Sequence, residues 1–162
     1  MSDSKKDIGR VLGLAICPVA GQPMVEVTEV EAIAGVGFKG NCYSAGEGSW
    51  NKGKPGKRQV TLMNSLFFPG SGFQFRESRR NGLIEDLELM FWLFRGPASV
   101  GEDVLLRAVG YCDPCERPNE LSGNSLSFRE AFVDRGGIIV EVVRSGIIKV
   151  GDLVTPPARN SK

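Results

Sequence analysis

Apolar positions along this chain fall in short runs that alternate with polar residues or are rich in β-branched side chains, and turn residues separate the runs. Residues 11–17 (Val-Leu-Gly-Leu-Ala-Ile-Cys) form the first. In the second, 24–33, Val25 and Val27 alternate with Glu26 and Thr28. Period-two alternation is the pattern of a half-buried strand, so both segments are predicted strands. Residues 58–63, 104–109, 138–143 and 147–150 carry the same character, and 152–154 closes the domain. Ser145-Gly146, between the last two long runs, is turn chemistry that predicts a hairpin.

Helical spacing is sparse. Asp86 is placed to cap a short helix through Leu87, Leu89, Met90 and Trp92, stopped at Gly96-Pro97. Phe128 and Phe132, at i and i+4, predict another over 127–133, ended by Arg135-Gly136-Gly137. The Phe-rich stretch 66–75 is broken by Pro69, Gly70 and Gly72 and is assigned no element. Between Gly35 and Gly56, seven glycines and one proline in 22 residues predict a long loop without regular structure. Many short strands with two or three short helices predict a mainly β fold, a closed or partly closed β-barrel, and not a βαβ repeat. The domain is expected over 11–154, with flexible segments at 1–10 and 155–162.

Composition narrows the partners. The chain has 162 residues and is 41% hydrophobic, enough for one core. Twenty basic and nineteen acidic residues leave a net charge of +1, so no overall field draws nucleic acid or an anionic membrane to it. Four unevenly spaced cysteines do not make a disulfide framework and suit a reducing, cytoplasmic setting. Lys5, Lys6 and Arg10 ahead of an apolar run imitate a secretion signal. Ile16 is too bulky to precede a cleavage at Cys17, and the run is too short to span a bilayer.

The chain contains no histidine. That excludes the Ser-His-Asp triad, the Cys-His pair and imidazole metal ligands, and it directs attention to sulfur. Cys112-Asp113-Pro114-Cys115 is the main candidate. It reads as half of a zinc site completed by Cys17 and Cys42, as a thioredoxin-type dithiol, as two unrelated cysteines at a strand end, or as a single reactive thiolate at Cys115. Gly35-Val36-Gly37-Phe38-Lys39-Gly40 matches a dinucleotide fingerprint, but no helix is predicted to begin inside it. Residues 48–55 nearly complete a phosphate loop, with Pro55 where a Ser or Thr must stand. Lys39, Lys52, Lys54, Lys57 and Arg58 read as a solvated basic loop or as part of an anion site.

Taken in order, Gly37-Phe38-Lys39-Gly40-Asn41, Arg58-Gln59-Val60-Thr61-Leu62, Arg79-Arg80-Asn81, Val100-Gly101, Pro114-Cys115, Arg135-Gly136-Gly137 and residues 146–152 form a motif series. It resembles that of the MOSC family, the domain found at the C-terminus of molybdenum cofactor sulfurases. The resemblance covers residues 11–154 and implies a barrel of the pyruvate-kinase-barrel-like type. It further implies binding of molybdenum cofactor (molybdopterin), or carriage of sulfur destined for it, with sulfurtransferase or oxidoreductase-type activity. The family's signature cysteine falls on Cys115, which the resemblance makes the catalytic thiol and a molybdenum ligand. Arg79 and Asn81 take the pterin and phosphate positions, with Arg58 and Thr61 as companions. The implied partners are a sulfur acceptor and a cysteine desulfurase as donor.

These assignments agree with general chemistry, since a soft thiolate suits molybdenum and an arginine fork suits phosphate. An Arg79 that approaches Cys115 across the barrel mouth would serve both needs. One departure stands out. Where the family commonly has Gly-Asp-Arg-His, this chain has Gly40-Asn41-Cys42-Tyr43. That opens a second reading, a non-catalytic binding or adaptor domain, beside the third, a Cys112/Cys115 dithiol redox protein. It also places a new thiol, Cys42, where it could pair with Cys115 if its loop folds over.

Overall fold

The computed structural model describes residues 8–42, 59–85 and 88–158. Its strands are β1 Gly9–Ile16, β2 Val25–Val27, β3 Glu29–Ile33, β4 Gly37–Phe38, β5 Val60–Asn64 and β6 Gly82–Ile84. They continue with β7 Ala98–Val100, β8 Val104–Tyr111, β9 Ile138–Arg144, β10 Gly146–Lys149 and β11 Leu153–Thr155. Two short α-helices, α1 Arg117–Ser122 and α2 Phe128–Ala131, lie between β8 and β9.

Seven strands close into a barrel in the order β11-β7-β8-β9-β5-β6-β1, because β11 pairs back onto β1 through Gly9–Val154 and Arg10–Leu153. Closure satisfies the edge groups that an open sheet would expose. Neighbours in the ring are antiparallel except β5 and β6. β2 adds to β1 outside the ring, and β10-β3-β4 form a small second sheet. The inward positions of β8 (Val104, Leu106, Ala108) and β9 (Ile138, Val140, Val142) fill the core with Val11, Leu14, Val60, Leu62 and Trp92. A separate aromatic cluster of Met63, Phe73, Phe128 and Phe132 seats α2, with the last two rings stacked at 4.5 Å.

The predicted mainly β barrel with few helices is therefore the fold observed. Several local expectations change. Segment 24–33 is two strands broken at Thr28: β2 stays with β1 while β3 leaves for the second sheet. Val25 is accordingly exposed, not inward. No hairpin forms at Ser145-Gly146. A strand has two edges, and β8 and β5 occupy both edges of β9, so β10 must cross to β3. Ser145 guides the crossing by accepting the Ala34 amide on Oγ at 2.7 Å.

The expected helix at 86–92 is a 3-10 turn over Leu89–Trp92, capped by the Glu88 side chain; Asp86 and Leu87 lie outside the described residues. Within the predicted loop, Gly37 and Phe38 form β4 against β3. Gly37, at φ 125°, lies so close to the Gln59 backbone that a Cβ would sit 3.0 Å from its carbonyl oxygen. Within the Gly35–Gly40 fingerprint the backbone is strand and turn, not the start of a helix, which disfavours the dinucleotide reading. Residues 43–58, including the near phosphate loop and Arg58, lie outside the described residues. Among the described residues no helix is long and apolar enough to cross a membrane.

Candidate functional site

β8 runs directly into the Cys112-Asp113-Pro114-Cys115 turn. Cys112 is fully buried, and its amide donates to the Gly137 carbonyl at 2.9 Å, which continues the β8–β9 ladder by one residue. Gly136 packs so tightly under this turn that a Cβ there would stand 2.1 Å from the Cys112 carbonyl oxygen and 2.9 Å from the Pro114 nitrogen. Cys115 follows, half-buried. On its other side Glu116 accepts the Ser127 hydroxyl at 2.8 Å, which ties the turn to the start of α2. The thiol thus sits between two anchored neighbours.

Beneath the turn lies a residue that the sequence does not single out. Arg80 is 5% exposed and donates from Nε to the Gly136 carbonyl at 2.8 Å and from Nη1 to the Ser78 carbonyl at 3.2 Å. Its guanidinium stacks 5.4 Å from the Phe128 ring centre. The buried Nη2 has no hydrogen-bond partner among the described residues. Among the described residues this buried cation is held by carbonyls and a ring face and forms no ion pair with a carboxylate.

Arg79 points elsewhere. It ends the 3-10 turn Phe75–Ser78 with left-handed backbone, φ 63°, so its side chain diverges from that of Arg80. Nη2 donates to Cys17 Sγ at 3.1 Å and Nη1 to the Gln22 carbonyl at 2.7 Å. The sulfur that Arg79 bonds is thus that of Cys17, a partner the sequence reading did not name.

Cys17 and Cys42 are neighbours. The Cys42 amide donates to the Cys17 carbonyl at 2.7 Å, the Cys17 amide donates to Asn41 Oδ1 at 2.7 Å, and both thiols lie in one buried cluster with Ala15 and Met24. Burial first, then the charge of Cys17 and a hydrogen bond between the two thiols, push the Cys42 pKa from 9.0 up to about 11, against the lowering pull of Arg79. The thiol that neighbours Cys42 is thus that of Cys17. A cavity of about 300 Å³ opens beside them, lined by Pro23, Met24, Arg76, Arg79 and Leu121 among others.

Thr61 and Asn81 meet in the barrel wall. Asn81 Oδ1 accepts the Thr61 amide at 3.0 Å, Nδ2 donates to the Ala15 carbonyl at 3.1 Å, and both residues are buried. One side chain so ties β5 to β1. All four cysteines are unbridged thiols, and no group of three or more His, Cys, Asp or Glu is arranged to hold a metal among the described residues, which leaves the zinc reading without a ligand set.

No protein-family model matches the chain, and no curated protein does either. Solved structures do. The YuaD protein from Bacillus subtilis superposes with a TM-score of 0.75 at 16% identity, covering 91% of this chain and 94% of its own. YiiM from Geobacillus stearothermophilus gives 0.65 at 13% identity, with 94% and 77% covered. YiiM from Escherichia coli gives 0.61 at 14%, with 94% and 72% covered. YiiM is a MOSC-domain protein, and the fold here is similar to it. At these identities the likeness is one of fold, in line with the barrel that the motif series implies.

Proposed function

We propose that this chain is a MOSC-like domain that carries sulfur on Cys115 in the service of molybdenum cofactor. One observation supports this most: of the four thiols, Cys115 alone is not buried, and it is held at the end of β8 by anchored neighbours. Its thiolate would attack the outer sulfur of a donor persulfide. A new S–S bond forms at Cys115, the donor's S–S bond breaks, and the donor leaves as a thiolate. A cysteine desulfurase is a donor of the right chemistry. The full burial of Cys112 favours this one-thiol scheme over a Cys112/Cys115 dithiol.

Direct holding of the cofactor is the second reading, and Arg80 favours it. Arg80 bonds the Gly136 carbonyl through Nε while its Nη2 has no partner among the described residues, and Gly136 packs under the Cys115 turn, so a soft donor and a buried cation flank one short segment. In that role Cys115 would offer a thiolate to molybdenum, and Arg80 would favour the anionic part of the cofactor.

The test is sulfur loading of the full chain by a cysteine desulfurase with cysteine, read by intact-protein mass spectrometry. The expected result is a gain of one sulfur atom that Cys115→Ser abolishes and Cys17→Ser leaves in place. Equal loading of Cys115→Ser would overturn the proposal. Elemental analysis for molybdenum after reconstitution examines the second reading, with retention lost in Cys115→Ser as its expected outcome.

A further inference from the structure

Cys17, Cys42 and Arg79 form a second sulfur centre that the Cys115 scheme does not use. The two cysteines come from the end of β1 and from the turn after β4. The backbone bond of 2.7 Å from the Cys42 amide to the Cys17 carbonyl limits how far apart they can be. Standard covalent lengths then cap their Cα–Cα separation at about 6.6 Å. A disulfide spans about 4.4–6.8 Å. Both side chains also lie in one buried cluster with Ala15 and Met24, so the two sulfurs share the same apolar surroundings.

The two sulfurs are not equivalent. Arg79 donates to Cys17 Sγ at 3.1 Å while the Cys17 thiol donates to the Val19 carbonyl at 3.0 Å, so the guanidinium is placed to hold negative charge on that sulfur once its proton is given up. Cys42 is the protonated partner. Both are buried, yet the cavity of about 300 Å³ reaches their surroundings, because Arg79 and Met24 line it while the first bonds Cys17 and the second packs in the same cluster as both thiols.

We infer that Cys17 and Cys42 are a peroxide-reactive dithiol, with Cys17 as the attacking sulfur, Cys42 as the resolving one and Arg79 as the positioning residue. In the first step the Cys17 thiol gives up its proton and the resulting thiolate attacks one peroxide oxygen. An S–O bond forms, the O–O bond breaks, and the departing hydroxide takes up a proton to leave as water. Cys17 is oxidised by two electrons to a sulfenic acid and the peroxide is reduced. In the second step the Cys42 sulfur attacks Cys17, an S–S bond forms, and the S–O bond breaks. The hydroxide lost there leaves as a second water with the Cys42 proton. A dithiol reductant returns the disulfide to two thiols and is itself oxidised to a disulfide.

The experiment treats the reduced full chain with hydrogen peroxide, blocks remaining thiols and digests with trypsin without reduction. Lys39 lies between the two cysteines, so they fall on different peptides. The expected product is a peptide pair joined through Cys17 and Cys42, two hydrogens lighter than its parts and separated by dithiothreitol. Cys115→Ser should yield the same pair, and Cys42→Ser should leave Cys17 as a dimedone-reactive sulfenic acid. Arg79→Gln, checked for unchanged circular dichroism, should slow the crosslink by roughly tenfold or more. The inference is overturned if Cys17 and Cys42 both remain alkylatable after unfolding under conditions that oxidise Cys115, or if Cys42 is recovered joined to Cys115. An unchanged rate in folded Arg79→Gln overturns the role of the arginine.

Discussion

Arg79 bonds Cys17 Sγ through Nη2 at 3.1 Å while its Nη1 holds the Gln22 carbonyl at 2.7 Å, so one guanidinium clamps both ends of the turn between β1 and β2. Charge-assisted bonds of this kind are worth about 1.5–3 kcal/mol when shielded and less at a half-exposed residue. Arg79→Ala should therefore cost about 1–2 kcal/mol in urea unfolding. Arg79→Lys should recover less than half of that, because an ammonium cannot present two divergent N–H groups in one plane. A full recovery by lysine would mean that charge alone matters there.

Gly136 is the floor of the Cys115 turn. A methyl group there would meet the Cys112 carbonyl oxygen at 2.1 Å, a backbone atom that cannot step aside. Gly136→Ala should destabilise by about 3 kcal/mol or more and lower the sulfur loading of Cys115 even in the folded fraction. Gly35→Ala is the comparison. With φ 77° but open space around it, it should cost only about 1–2 kcal/mol, and loading should stay unchanged. Thermal unfolding and desulfurase loading of both variants check this.

Asn81 is committed to two strands, so its removal leaves buried backbone groups of Thr61 and Ala15 without partners. Asn81→Ala should cost about 2–4 kcal/mol. Asn81→Asp keeps the acceptor for Thr61 but sets a carboxylate against the Ala15 carbonyl, so it should regain stability as pH falls and the carboxyl takes up a proton. Denaturation at acid and neutral pH separates the two variants.

Alkaline stability should follow Cys42 and Tyr111. Burial is the leading cause of the raised pKa at both, Cys42 reaching about 11 from 9.0 and Tyr111 lying above its usual 10.0. The unfolded chain loses these protons first, so it binds fewer protons than the folded chain in that range and is favoured as pH rises. The stabilisation is complete below about pH 9 and is lost between there and about pH 11. Cys42→Ala should flatten that part of the profile in guanidinium unfolding measured at pH 8, 9.5 and 11.

Much of the barrel was legible along the chain because alternation is a local property. Strands β1, β5, β8 and β9 lie where the apolar runs lie, and the i, i+4 spacing of Phe128 and Phe132 found α2. The crossing of β10 away from β9 at Ser145-Gly146 was not recoverable in that way. Whether β10 pairs with β9 depends on which neighbours already fill the edges of β9, and those come from distant parts of the sequence. The candidate site divides along the same line. Cys115 stands out from its motif, whereas nothing local says which member of an Arg-Arg pair is buried.

The sequence by itself determined the chemistry in reserve: no imidazole, four thiols, short alternating strands, and a glycine wherever the backbone must turn tightly under the Cys112–Cys115 segment. Tertiary structure alone decided how those groups meet. Arg79 and Cys17 are 62 positions apart and Cys17 and Cys42 are 25 apart, and they converge only because barrel closure and the left-handed backbone at Arg79 set their directions. Order along a chain carries spacing but no angle, and a hydrogen bond depends on both.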